Sequence, residues 1–401
     1  MQRIILHIDM NSYFASVEQQ ANPFLRGKPI GITGKDQIRS VVATASIEAK
    51  KLGVKTAMST WEAKKICPSL ILWPGDPEKY SDIMHRFNAI YREFTPHIEP
   101  FSVDESFLDI TEEAEDYFGA TYIAQMIRSR LKEELGDHIT ASIGIAPNKL
   151  MAKLACETVK PSGLTVVQSD DVIDLLNRCN LTDLCGIGPR IHARLNTLGI
   201  KTFQELRAFP LEDLQREFKS YGLWLHEASH GRDLSQGVTS DIQDIKSYGH
   251  SYTLPQNTTD PVILKRYLFG LADKVGWRMR RDGVVARRVT AHVRFGNFTN
   301  HSEQRTFNEP TADGKNLFEV AWSILRPHLK SDVRLVGLSA SLLCQNPSQP
   351  SLFKKERNMQ SVLCALDTLQ HRYGSGVWKR ASTLPIEFKP RSSGFHFDHE
   401  V

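Results

Sequence analysis

The chain has 401 residues, 41% apolar and 24% charged, so it is globular rather than disordered and too long for one compact core. Mean hydropathy is −0.32, and no apolar run approaches the roughly 18 residues of a membrane helix, which excludes a helical membrane span. The six cysteines (Cys67, Cys156, Cys179, Cys185, Cys344, Cys364) are scattered with no CxxC pair, which rules against a zinc site or a disulfide framework and favours a reducing cytosol.

In chain order, Ile4 to Ile8 is an apolar run of strand length closed by Asp9. No small-residue cleavage site follows it, so no signal peptide is expected. A helix starts at Asn11 or Ser12, both good N-caps. Ser40 to Thr44 reads as a strand, and Ser46 to Leu52 as a helix stopped by Gly53. Ile98 to Val103 and Ser106 to Ile110 read as two strands meeting at a tight tip, Asp104-Glu105. His138 to Ala146 is a further strand, and a helix through Lys149, Lys153 and Ala155 ends before Pro161. Val172 to His230 consists of short helices, and the polar stretch from Gly231 to Lys246 reads as a linker.

The block from Ser247 to Leu343 is internally repeated. Helices open at Tyr267 and Asn316, and strands run over Ser247–Leu254, Val284–Phe295, Ser302–Phe307 and Val333–Leu343. That order is βαββαβ, a split βαβ arrangement. Between Lys246 and Leu343 stand 15 Lys or Arg against 8 Asp or Glu, a net of about +7 in one quarter of a chain whose total is +4. A basic domain on a near-neutral body is the electrostatic footprint of nucleic-acid binding. Beyond Gln345 the chain reads as a tail outside any core, with a short amphipathic helix near Ser361 to Tyr373 free to dock on a partner.

Three acids carry the candidate chemistry. Asp9 closes the first strand just before a helix start, and Asp104 and Glu105 occupy the tip of a distant strand pair. Strand ends on one sheet can bring such groups together as a cage for hard cations such as Mg²⁺. Two ions about 4 Å apart can activate an attacking oxygen and stabilise a leaving one. The helix start after Asp9 offers free backbone N–H groups to a triphosphate.

The segments Ile8 to Glu18 (IDMNSYFASVE) and Ser102 to Asp109 (SVDESFLD) resemble the two signature motifs of the Y-family translesion DNA polymerases, in their DNA polymerase IV (DinB) branch. Ala43 to Val54, Ser142 to Lys149 and Lys160 to Gly163 are similar to further motifs of that family, in order and at suitable spacing. The resemblance implies an α+β multidomain right-hand polymerase over roughly residues 1 to 345. Palm and fingers would take 1–166 (fingers about 18–76), a helix-hairpin-helix thumb 167–232, a linker 233–245 and a βαββαβ little finger 246–345, before a tail at 346–401. It further implies template-directed, low-fidelity addition of dNTPs to a primer 3′-hydroxyl in DNA damage tolerance, by a cytoplasmic monomer.

By the same resemblance, Asp9, Asp104 and Glu105 are catalytic, and with the Met10 carbonyl they hold two Mg²⁺ ions, for which Mn²⁺ can substitute. Asn11, Ser12, Tyr13, Phe14, Thr44, Lys50 and Lys160 fall on nucleotide-binding positions, and Phe14 on the steric gate that excludes a 2′-hydroxyl. The family has Tyr and Arg where this chain has Ile47 and Lys50, which weakens the phosphate contacts because lysine lacks the guanidinium fork. Leu184 to Leu195 is a helix-hairpin-helix signature whose Gly186 and Gly188 suit close approach to a DNA phosphate. Arg287 and Arg288 are the little-finger DNA contacts. Gln349, Leu352 and Phe353 resemble a sliding-clamp peptide. The rival readings are a non-catalytic polymerase-like scaffold, which would lack the acids, and a helix-hairpin-helix glycosylase, which leaves residues 1–165 unexplained.

Overall fold

The structure is a computed structural model that describes residues 3–34, 40–235, 237–239, 245–345, 354–374 and 376–388. The described residues fall into two compact units, one over residues 3–239 and the other over residues 245–388.

In the first unit the chain runs β1 (Ile5–Met10), α1 (Tyr13–Ala21), β2 (Ile30–Thr33), β3 (Thr44–Ala45), α2 (Ile47–Lys51), α3 (Thr60–Ile66), β4 (Ile71–Pro74) and α4 (Pro77–Arg92). It continues through β5 (Ile98–Pro100), β6 (Glu105–Asp109), α5 (Thr111–Ala114), α6 (Tyr117–Leu135), β7 (Ala141–Ala146), α7 (Lys149–Thr158) and β8 (Leu164–Val166). Five short helices follow: α8 (Val172–Arg178), α9 (Pro189–Thr197), α10 (Phe203–Ala208), α11 (Leu211–Phe218) and α12 (Ser220–Ser229). The main sheet has the order β5-β6-β1-β7-β8, and a small sheet β3-β2-β4 stands apart from it.

Alternation along β1 decides which groups meet. Leu6, Ile8 and Met10 pack on one face with Phe87, Tyr91, Ala124 and Ile127 from α4 and α6. Ile5, His7 and Asp9 therefore take the other face, where Ile5 joins Ala152 and Ala155 of α7. Gly144 makes that approach possible: a Cβ there would stand 2.1 Å from the Ala152 carbonyl oxygen and 2.4 Å from the Cys156 nitrogen. Only a glycine lets α7 lie so close on the sheet.

The second unit runs β9 (Ser247–Thr258), α13 (Pro261–Arg281), β10 (Val284–Phe295), β11 (Asn300–Thr311), α14 (Gly314–Leu325), β12 (Val333–Gln345) and α15 (Lys354–Tyr373). Its sheet has the order β11-β10-β12-β9, all antiparallel, so the expected βαββαβ arrangement is present. Val289, Ala291, Val293, Val336, Leu338 and Ala340 of the sheet pack with Leu268, Leu271 and Val275 of α13 and with Leu317 and Ala321 of α14.

Four readings of the sequence change. Ser40 to Thr44 is not a strand: Val41 forms a lone bridge with Ser59, and β3 holds only Thr44 and Ala45. The tip between β5 and β6 is Phe101 to Asp104, because the Glu105 carbonyl accepts from the Phe101 and Ser102 amides and Glu105 already belongs to β6. The described part of the linker is anchored, with Asp233 accepting from the Leu150 amide and Thr239 donating its amide to Glu99.

The described tail from 354 to 388 is also not outside the core. Asp367 of α15 takes two 2.7 Å bonds from Arg280, and Arg380 donates to Asp273 at 2.7 Å. Phe388 packs edge-on against Tyr252 and Tyr267, beside buried Ile386. The amphipathic helix is thus longer than expected, and it docks on its own unit.

Candidate active site

Asp9 and Glu105 are register partners on adjacent strands, so their side chains leave the same sheet face side by side. The Met10 amide donates to the Asp104 carbonyl at 2.9 Å, which ties the 101–104 turn to the end of β1. The Asp104 carboxylate itself is held by the Ser102 hydroxyl at 2.6 Å.

Because α7 lies on this face, the i, i+4 positions Lys149, Lys153 and Glu157 are delivered to the acids. Lys153 is paired with Glu105, Lys160 lies 3.2 Å from Asp9 and 2.6 Å from Glu157, and Lys149 pairs with Glu99 at 2.9 Å. Asp9, Glu105 and Glu157 each bring a carboxylate oxygen within 4.8 Å of the others. Glu157 was missed from sequence; its only signal was its spacing from Lys153.

The charges are costly where they stand. Burial pushes Asp9 up to about 7 against the pull of Lys160, and the like charges of Asp104 and Glu105 add to the rise. Asp104 is also raised by burial, although the Ser102 hydrogen bond opposes it. Burial would raise Glu105 too, but Lys153 wins and holds it below its ordinary value. His7, next on the face, is pushed by burial down to about 3, and neither ring nitrogen has a hydrogen-bond partner. An all-oxygen set of mutually repelling carboxylates fits hard divalent cations, since added positive charge would relieve the repulsion.

The nucleotide positions divide into two groups. Ser12 stands at the N-cap of α1 with φ 48° and makes no side-chain cap, so it does not cap the helix as expected. Ser12 therefore offers the first turn of α1 no side-chain acceptor. Asn11 is spent on structure: its amide donates to Thr140 and Ser162 hydroxyls and its oxygen accepts from Ser142. Tyr13 is also a core residue, with its hydroxyl donating to the Tyr80 carbonyl at 2.6 Å.

Phe14 is 7% exposed and stacks on Tyr80, with centroids 4.5 Å apart and planes 10° from parallel. Tyr80 is fixed in turn by its hydroxyl bond to Glu18, which Lys79 and Trp73 also hold. Phe14 therefore has a stiff backing. Lys50, in the last turn of α2, lies within the field of Asp9, Asp104, Glu157 and Lys160, while Thr44 lies half-buried in β3.

The impB/mucB/samB family matches residues 8–157, its C-terminal domain residues 245–352, and the DNA polymerase-iota thumb domain residues 182–233. DNA polymerase IV of Moorella thermoacetica is 36% identical over 385 residues, covering 95% of this chain and 96% of its own. DNA polymerase IV of Listeria innocua is 36% identical over 343 residues, covering 85% of this chain and 95% of its own. The chain belongs to the DNA polymerase IV branch of the Y family. Among solved structures, a chimera of the Y-family polymerases Dbh and Dpo4 superposes with a TM-score of 0.77 at 29% identity, covering 86% of this chain and all of its own. An insertion ternary complex of Dbh DNA polymerase gives 0.58 at 28% identity, again covering 86% of this chain and all of its own. The fold is thus the right-hand polymerase with helical thumb and βαββαβ little finger, and the enzyme class is DNA-directed DNA polymerase.

The residues that the sequence assigns to DNA contact fall in two further places. In the helical region Gly186 has φ +109°, Tyr221 donates to its carbonyl at 2.7 Å, and a Cβ there would meet Trp224 at 2.5 Å. Gly188 opens α9 with nothing within 4 Å of its missing Cβ, so a ligand can come close to that backbone. In the second unit, alternation puts Arg288, Thr290, His292 and Arg294 on the face opposite buried Val289, Ala291 and Val293. Across from them on β12 stand Ser341, Ser339, Gly337 and Leu335. Arg287 is exposed and sits at the irregularity in β10 between Ala286 and Arg288, where strict alternation breaks. Gln349, Leu352 and Phe353 lie outside the described residues. Among the described residues no helix is long and apolar enough to cross a membrane.

Proposed function

We propose that this chain extends a primer 3′-hydroxyl with deoxynucleotides at Asp9, Asp104 and Glu105, in the bypass of damaged template in the cytoplasm. The observation that carries the reading is the pairing of Asp9 with Glu105 beside the uncapped start of α1, with burial holding Asp9 near 7. A fold keeps such an unfavourable cluster for function rather than stability.

Asp9, Asp104, Glu105 and the Met10 carbonyl would hold two Mg²⁺ ions, or Mn²⁺ in their place. When bound, the ions supply charge neutralisation and activation of the hydroxyl. The chain's own residues do the rest. The open first turn of α1, with Thr44, Lys50 and Lys160, receives the triphosphate, and positioning with neutralised charge is most of what phosphoryl transfer needs. Lys160 must give up part of its pairing with Asp9 to do so. Phe14, stiffened by Tyr80, sets the floor under the sugar.

Residues 1–166 are assigned to palm and fingers, 167–232 to the thumb, 233–245 to a linker and 246–345 to the little finger, in line with the matched family segments. Gly186, Gly188, Arg287 and Arg288, with Arg294 further along β10, would grip the duplex without reading its sequence. Gln349, Leu352 and Phe353 would engage a sliding clamp, on the sequence resemblance alone. Primer extension with Mg²⁺ tests the catalytic reading. Asp104→Ala and Glu105→Ala should each lose extension by about 10³-fold or more while binding primer-template normally. Substantial extension by either variant would sink the assignment.

A further inference from the structure

A second polar cluster lies in the other unit, on the edge strand of its sheet. His301 and Glu303 stand two residues apart on β11 and share the face that Phe307 turns toward the core under the helices. His328 ends the 3-10 turn Arg326–His328 that follows α14 directly. One donor atom from each of the three lies within 4.8 Å of the other two. His328 Nε2 is 3.6 Å from Glu303 Oε2, and the two imidazoles stack with centroids 3.7 Å apart. The Nε2 atom of His301 is buried and has no hydrogen-bond partner. Arg305 makes a 3.4 Å contact to Glu303 but is also held at 3.0 Å by Ser323 of α14, so it does not fill the cluster.

A buried ring nitrogen without a partner is unfavourable, and stacking two imidazoles above a carboxylate does not relieve it. We propose that His301, Glu303 and His328 form a binding site for a divalent transition-metal cation of the Zn²⁺ type. Two imidazole nitrogens and one carboxylate oxygen are a borderline donor set that favours such ions over Mg²⁺. The carboxylate centre of the first unit, with oxygen donors alone, has the opposite preference. Donors bound tetrahedrally at 2.0–2.2 Å are about 3.4 Å apart, so side-chain rotation alone closes the cluster on an ion. Three protein ligands leave a fourth position for water. The ion would tie the edge strand β11 to the turn behind α14, on the side of the sheet away from Arg288 and Arg294.

The cluster has no local signature, since 24 residues lie between Glu303 and His328 and the scattered cysteines point away from zinc. The test uses the full chain, stripped of metal and titrated with ZnCl₂ in excess Mg²⁺. One tight equivalent is expected in the wild type and in His138→Gln, weakened at least about tenfold in His301→Gln and in His328→Gln. Anomalous diffraction at the zinc edge from the wild-type protein should place the ion among the three side chains, which decides the matter even if a variant fails to fold. An unchanged tight equivalent in either cluster variant, or zinc density only at other groups such as the exposed Cys185 or Cys364, would overturn the proposal.

Discussion

The acids of the first unit lie on a sheet face closed by α7, whereas the arginines of the second unit stand on the sheet face turned away from α13 and α14. In the first region a few charges are dehydrated and coupled, so removing one changes all the others. In the second, charges are solvated and spread over rows of Arg, Thr, His and Ser, so each contributes a share. Chemistry needs the first kind of surface and sequence-independent grip needs the second. The two should therefore respond to substitution in different ways.

Asp9→Asn is expected to show the largest effect, with loss of extension by about 10³-fold together with a gain in stability. The folded, metal-free protein holds the Asp9 proton more tightly than the unfolded chain, because its pKa rises from 3.8 to about 7. The stability linked to that proton is present at low pH and is lost as pH rises through about 7. Asparagine removes this loss. Thermal melts without metal should show Asp9→Asn above wild type at pH 8, with the margin smaller at pH 5 and gone below the unfolded pKa of 3.8. A lower melting temperature at pH 8 would mean that the Lys160 pair outweighs the burial cost.

Phe14→Ala comes next. It removes a buried ring stacked on Tyr80, at a cost of about 3 kcal/mol, and opens the space under the sugar. Single-nucleotide incorporation should show ribonucleotide use rising by about tenfold or more. If wild type already takes both sugars equally, Phe14 is not the gate.

Smaller effects belong to the second unit. Arg288→Ala and Arg294→Ala should each reduce the salt dependence of primer-template affinity by about one released counterion. Arg287→Ala, an exposed site at the β10 irregularity, should do the same. An unchanged salt dependence in all three would show that this strand is not the contact surface. Asp367→Ala, which breaks the paired bonds from Arg280, should cost only about 1–2 kcal/mol in denaturant melts and leave extension intact.

Much of this could be read from the residues. An acid closing a short apolar run before a helix start has a local signature, and alternation sends Asp9 to the face opposite Leu6 and Ile8. The βαββαβ order followed from periodicity. What could not be read depends on packing between distant segments. Lys153 and Glu157 look like any solvated i, i+4 pair until Gly144 lets α7 reach the sheet. Asp367 meets Arg280 across 87 residues and Arg380 meets Asp273 across 107, so the docked tail left no local trace. Asn11 and Tyr13 were assigned by position, while their side chains serve the framework.

If chemistry and grip reside in separate surfaces, the two should come apart in one paired measurement. Single-turnover incorporation at saturating primer-template, with binding affinity measured on the same preparations, should be compared for Glu105→Gln and the double variant Arg288→Ala/Arg294→Ala. Glu105→Gln should bind DNA as wild type does but incorporate about 10³-fold more slowly, while the double variant should bind weakly yet incorporate at nearly the wild-type rate once saturated. Incorporation that survives in Glu105→Gln, or that stays lost in the saturated double variant, would contradict it.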